Sequence, residues 1–302
     1  MIGFRLIKTL LVVSLGFSIS ACDDPKTITS ESGRFYFTND SSESLIFFID
    51  YQPIVIPHQG VGSILLRPGP HLMTTMSGKA VQFIVYPGNK GGILNPNKQI
   101  YYTYSFVHGT EGIPSIHHLK KQSLVVNGYL LNGRINSSND YIIDNNVFNC
   151  DFHVGEAVPE EINSSTTVSQ VKTKCLTHKE LVDLIHQEDG LISQLIVKKM
   201  VNHANQSVTV HFDYPLTQPD FSDEALQLHA QEVVNLIDSF RRSLDPQRKQ
   251  FYYNQYHNKI SHMAIIYSQM GSDRSSLQEK RKYTEFMQQT RAIFGAGTLM
   301  YH

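Results

Sequence analysis

Arg34-Phe35-Tyr36-Phe37-Thr38-Asn39-Asp40-Ser41-Ser42-Glu43-Ser44-Leu45-Ile46-Phe47-Phe48-Ile49-Asp50-Tyr51 decides the fold class. Phe35 and Phe37 alternate with Tyr36 and Thr38, the two-residue period of a strand with one buried face. Asn39 to Ser42 is turn chemistry, because short polar side chains bond their own backbone. Residues 45–51 predict a second strand, followed by Pro53.

The same rhythm continues outward. Pro57-His58-Gln59-Gly60 turns the chain into a strand at 63–66, and Arg67-Pro68-Gly69-Pro70 turns it into another at 71–76. Further strands are expected at 81–86, 101–107, 124–131 and 141–143. Short, β-branched and aromatic segments broken by turns at this spacing point to an antiparallel sandwich or barrel. Pro87-Gly88-Asn89-Lys90-Gly91-Gly92 reads as a mobile surface loop, extended by Asn95-Pro96-Asn97. It lacks the Gly-Lys-Ser/Thr ending and following helix of a phosphate cradle.

Residues 156–171 are polar, rich in Ser and Thr, and contain Pro159. Helical signals start beyond them. Thr177 with Glu180 forms a capping box, and Leu181, Leu184, Ile185, Leu191, Ile192, Leu195 and Ile196 continue as a helical stripe interrupted at Gly190. Residues 207–214 alternate again and predict one strand that could return to the sheet. Ser222 opens a helix with Asp223 and Glu224 in its first turn, where carboxylates suit the helix dipole. Asp245-Pro246 opens the next helix, which runs to Met270 through Tyr253, Tyr256, Ile260, Met263 and Tyr267. Ser272 or Asp273 opens the last, closed by Gly295. The expected class is α+β: a β-sandwich-like domain over 33–155, a polar linker over 156–175, and a mainly α-helical domain over 176–302 ending in a three-helix bundle.

The first residues bear on location. Arg5 and Lys8 precede a short apolar run that ends in small residues, the layout of an export signal. The run meets Cys22-Asp23-Asp24-Pro25 before it reaches the roughly 20 apolar residues of a membrane span. Ile19-Ser20-Ala21-Cys22 resembles the lipobox of bacterial lipoproteins, with Ile19 where Leu is usual. The resemblance implies a signal peptide over 1–21 and diacylglycerol on the Cys22 thiol. It also implies acylation of the new terminal amine. The polar composition of the residues that follow, with Pro25 and several Ser and Thr, reads as a tether, so that 22–32 form a lipidated tether. Asp23 resembles the signal that keeps enteric lipoproteins in the inner membrane. The outer membrane is the alternative.

Loss of residues 1–21 removes Arg5 and Lys8 and no acid, so the net charge moves from −1 to −3. Such a surface is no nucleic-acid footprint. With Cys22 lipidated, Cys150 and Cys175 remain as an even pair that an exported chain can bridge. The alternative is two buried free thiols.

No sequence motif assigns a reaction. There is no His-Glu-x-x-His and no Gly-x-Ser-x-Gly, and no spacing marks a zinc site. His108, His117, His118 and His153 could converge only through the fold. Ser169-Gln170-Val171-Lys172 matches Ser-x-x-Lys but sits in the linker without companion motifs. No metal or cofactor is implied. Tyr101, Tyr102 and Tyr104 are a candidate binding surface, if they face outward from their strand. Otherwise alternate members line the core. Arg241-Arg242 with Arg248-Lys249 face either anionic lipid heads or plain solvent.

The expected role is a non-enzymatic, lipid-anchored envelope protein facing the periplasm, binding an envelope protein or a cell-wall polymer. A hydrolase or metal-dependent enzyme, and an immunity or exclusion lipoprotein, are the alternatives.

Overall fold

Alternation along the first six strands places one set of side chains between two sheets and the other set outside it. The computed structural model describes residues 33–108, 121–158, 170–187, 196–199, 209–270 and 277–301. Strands β1 (Gly33–Thr38), β2 (Leu45–Ile49), β3 (Gln52–Ile56), β4 (Val61–Leu66), β5 (Gly69–Thr75), β6 (Ala80–Val85) and β7 (Gly92–Leu94) open the chain. They are followed by β8 (Tyr101–His108), β9 (Gln122–Val126), β10 (Tyr129–Gly133), β11 (Ile135–Ser138) and β12 (Ile142–Asp144). A five-stranded sheet has the order β15-β6-β5-β2-β3, where β15 is Thr298–Met300 near the C-terminus. A four-stranded sheet has the order β12-β7-β1-β4, antiparallel except for the parallel pair β1–β7.

Phe35, Phe37, Leu94 and Ile142 of the four-stranded sheet meet Phe47, Met73, Phe83 and Val85 of the five-stranded sheet in one core. Phe37 meets Phe47 edge to face at 5.4 Å, a favoured aromatic geometry. Residues one step along, Ile84, Tyr86, Ile93, Ile143 and Leu299, join a second core shared with helices. These helices are α3 (Glu224–Arg242), α4 (Lys249–Gln269) and α5 (Leu277–Gly295). They lie against one another through Phe240 on Phe294 at 5.0 Å and Tyr256 on Phe294 at 4.5 Å. The architecture is therefore α+β, with β-sandwich-like packing and three C-terminal helices as expected.

Two three-stranded sheets, β11-β8-β13 and β14-β10-β9, complete the β-structure; β13 is Gln170–Leu176 and β14 is Ile196–Lys199. With α2 (His178–Gln187) they enclose a third core around Phe106, Leu131, Ile135 and Leu181. Thr177 caps α2 as the spacing predicts. Its Oγ1 accepts from the Glu180 N–H at 3.1 Å, and Glu180 Oε2 accepts from the Thr177 N–H at 2.7 Å.

Several expectations need correction. Residues 124–131 are not one strand but the hairpin β9–β10, turned at Asn127 and Gly128 with φ of 48° and 78°. Asn-Gly is the pair that tolerates both positive φ values of a tight hairpin turn. Asp50 and Tyr51 make a second such turn, with φ of 49° and 67°, and send the chain into β3, a strand the sequence reading missed. Residues 170–175, assigned to the linker, form β13 together with Leu176 and pair with β8 from His108 to Tyr102. Ile196 lies in β14 rather than on a helix. Of the expected strand at 207–214, Thr209 makes one bridge to Ser137, and Phe212 and Tyr214 are buried in the helical core; residues 207 and 208 lie outside the described residues.

The stretch expected as a mobile loop is packed. A Cβ on Gly33 would lie 1.6 Å from Asn89 Oδ1, and one on Gly91 would lie 1.9 Å from the Arg34 carbonyl oxygen. Asn95 is buried, and its side-chain amide donates to the carbonyls of Gln99 and Asp140. Glycine here permits close backbone approach rather than motion.

Candidate functional site

Asp144 ends β12 and its side chain is wholly buried. Burial alone would make an ionised carboxylate there costly, so its partners decide what it does. Oδ1 accepts from the Asn146 N–H at 2.9 Å, capping the short helix α1 (Asn145–Phe148). Oδ2 accepts from the Tyr214 hydroxyl at 3.0 Å and from the N–H groups of Gly297 at 2.6 Å and Thr298 at 3.2 Å. Burial raises the carboxyl above its ordinary range against the pull of these four donors, and it raises the Tyr214 hydroxyl as well.

Around this carboxyl two cations also turn inward. The Arg241 guanidinium donates to the Tyr214 carbonyl. The Lys249 ammonium donates to the Ala296 carbonyl and lies 4.9 Å from the centre of the Tyr86 ring. Burial pushes Lys249 down to about 8, with the Asp144 charge opposing the shift. The group thus joins β12, segment 209–214, the end of α3, the start of α4 and the start of β15. A general base must reach a substrate proton. Asp144 has its oxygens directed at protein donors and no exposed surface, so the arrangement works as a clip between sheet and helices.

Two smaller polar groups have the same character. His71 faces acceptors at both ring nitrogens, Asp50 Oδ2 at 2.7 Å and the Arg67 carbonyl at 2.8 Å, and ties together the turns flanking β2 and β5. Lys174 is buried, donates to the His153 carbonyl at 2.5 Å, and pairs with Glu180 at 3.3 Å; burial lowers its pKa.

The residues singled out from sequence fall as follows. Cys22 lies outside the described residues, as do His117, His118 and Ser169. Cys150 and Cys175 form a disulfide with Cα atoms 5.6 Å apart, fastening the segment after α1 to β13. Tyr101, Tyr102 and Tyr104 are 1 %, 3 % and 2 % exposed and do not form a surface. Tyr101 enters the helical core with its hydroxyl 2.8 Å from Thr38 Oγ1, while Tyr102 and Tyr104 enter the third core. Both faces of β8 are covered, so the alternation that marks an exposed face has no meaning there. Of the basic cluster, Arg241 and Lys249 point inward, and Arg242 and Arg248 remain exposed.

No group of three or more His, Cys, Asp or Glu among the described residues is placed to hold a metal ion, and none of their helices is long and apolar enough to cross a membrane. A shallow groove of about 220 Å³ lies between segment 217–221 and α5, lined by Thr217, Pro219, Phe221, Lys282, Glu285 and Gln289 among others. It runs beside the middle of α5, next to the segment that leads into α3. Asp144, Lys249 and Tyr214 carry no sequence motif; Gly297, where an added Cβ would lie 2.5 Å from Asn146 Oδ1, is the one local hint of the clip.

Compared with known proteins, the chain matches no family model, no curated protein and no solved structure.

Proposed function

We propose that this is a lipid-anchored envelope protein, facing the periplasm, that acts by binding a protein partner or a cell-wall polymer. The observation that carries the reading is the cysteine pairing. The chain has three cysteines, and the bridge between Cys150 and Cys175 leaves Cys22, within the lipobox-like stretch, for lipid. A bridged pair suits an oxidising compartment. Asp23 favours the inner membrane.

Binding is preferred to catalysis because the buried charged groups are engaged by the fold itself, Asp144 by four donors and Lys249 by a carbonyl. The groove beside α5 offers a partner the apolar surface of Phe221 and Phe286, with the Gln218 amide and the Glu285 carboxylate beside it. The test is photo-crosslinking from Gln218 in intact membranes, followed by capture and mass spectrometry. A single envelope protein or peptidoglycan fragment, lost on Glu285→Lys, is the expected result. Native protein with an unmodified residue 22 and an intact leader would overturn the anchor. Turnover of an envelope substrate abolished by Asp144→Asn in a folded variant would overturn the binding role.

A further inference from the structure

We infer that the connection between α3 and α4 is a second, peripheral membrane contact, taking anionic lipid headgroups through Arg242 and Arg248 and the acyl boundary through Leu244 and Phe251.

The placement follows from the topology. Strands β1 and β7 run parallel, so the start of β1 lies beside the loop that precedes β7. Gly33, the first described residue, abuts the Asn89 side chain. A Cβ on Gly297 would lie 3.0 Å from the Asn89 Cβ, and the neighbouring Ala296 carbonyl accepts from Lys249, the first residue of α4. Three successive contacts thus lead from the point where residues 22–32 join the fold to the first turn of α4. Residues 23–32 are ten residues, which span at most about 35 Å. An anchor at Cys22 would keep this end within reach of the bilayer. The inference rests on the proposed anchor for that orientation alone.

The chemistry is that of an interface. Leu244 is 48 % exposed and Phe251 51 % exposed, with no apolar neighbour of the fold covering them fully. Arg242 and Arg248 are exposed beside them, and the Arg248 guanidinium lies 5.5 Å from the Phe251 ring centre and 5.1 Å from that of Tyr252. Of the charged residues between 238 and 251, Arg242, Arg248, Asp238 and Asp245 are exposed, while Arg241 and Lys249 turn their charges inward. Asp238 lies in the field of Arg241, and Asp245 caps the turn by accepting from the Gln247 N–H. A guanidinium at phosphate depth beside an aliphatic and an aromatic side chain is how amphipathic surfaces sit on anionic bilayers.

The test uses the chain from residue 22 onward carrying Cys22→Ser, which cannot be acylated, in co-flotation with vesicles of phosphatidylcholine alone or mixed with phosphatidylglycerol. Binding about tenfold stronger to the mixed vesicles, and weakened by salt, is expected. Arg242→Glu with Arg248→Glu should abolish the preference. Leu244→Ser with Phe251→Ser should lower binding severalfold at unchanged far-UV circular dichroism. Lys280→Glu, the same charge change near the start of α5, should leave binding as it was. Equal binding to both vesicles, no binding, or equal loss with Lys280→Glu would overturn the inference. So would capture of an envelope protein through Arg242 and Arg248 without vesicle binding. Because this chain carries no lipid, the result is independent of whether native Cys22 is acylated.

Discussion

Lys249 carries its ammonium into the seam between helices and sheet, and the desolvation this imposes has a measurable signature. The folded chain releases the proton near 8, whereas an unfolded lysine keeps it to about 10.5. Between those values the unfolded state binds more protons, so stability from this group rises with pH through that window. Raising the pH from about 7 to about 9.5 should stabilise the native chain relative to Lys249→Met by about 2 kcal/mol. Urea unfolding of both proteins at the two pH values measures it, and identical pH slopes would sink the assignment. Glycines give a second contrast. Gly91 has a φ of 74° and its added Cβ would strike the Arg34 carbonyl, whereas Gly78, with a φ of 82°, has open space around it. Gly78→Ala should cost about 1 kcal/mol of left-handed strain. Gly91→Ala should cost at least about 3 kcal/mol, because backbone must also move. Equal melting temperatures for the two variants would show that the loop before β7 is not packed as described.

Among the elements, α2 and the hairpins show which local signals were legible. Thr177 and Glu180 meet as their spacing predicts, because a capping box involves only neighbours in the chain. Asn127-Gly128 was equally local, yet the apolar run on both sides hid it. The hydrophobic residues of 124–131 read as one strand until the turn at their centre is weighted. Strand β13 was illegible for another reason. Lys172 and Lys174 make it polar; Lys172 pairs with Asp151, and Lys174 is buried through its pairing with Glu180 and the His153 carbonyl. The disulfide anchors this strand to the segment after α1. Replacing both cysteines, Cys150→Ser with Cys175→Ser, should cost about 3.5 kcal/mol through the freed loop of 25 residues. Chemical denaturation under oxidising conditions measures it. A loss below about 1 kcal/mol would mean the bridge adds little beyond the β8–β13 ladder.

For the whole molecule the decisive contacts are long-range. Strand β15 closes the five-stranded sheet against β6 from the far end of the chain, and the residues leading into it supply two of the donors to Asp144. A chain ending at Ala296 should leave a buried carboxylate short of partners and lose at least about 3 kcal/mol. Sheet and helix should then lose structure together, since both share the core that Leu299 enters. Near- and far-UV circular dichroism through a urea titration would reveal it. Helices that melt apart from an unaffected sheet would show the two parts to be independent.

What the chain determined locally was the two-residue period of most strands, the caps at Thr177 and Asp245 (that of α3 falls on Asp223, one residue past the expected Ser222), the even pair of cysteines and the lipobox-like stretch. Apart from the cysteine pair, which is a matter of counting, each depends on residues that lie within a turn or two of one another. Where the tyrosines of β8 face, which charges turn inward, and which end of the molecule bears exposed arginine and phenylalanine were decided only in three dimensions. Those outcomes depend on surfaces brought together across tens of residues of chain, and no period along the chain encodes them.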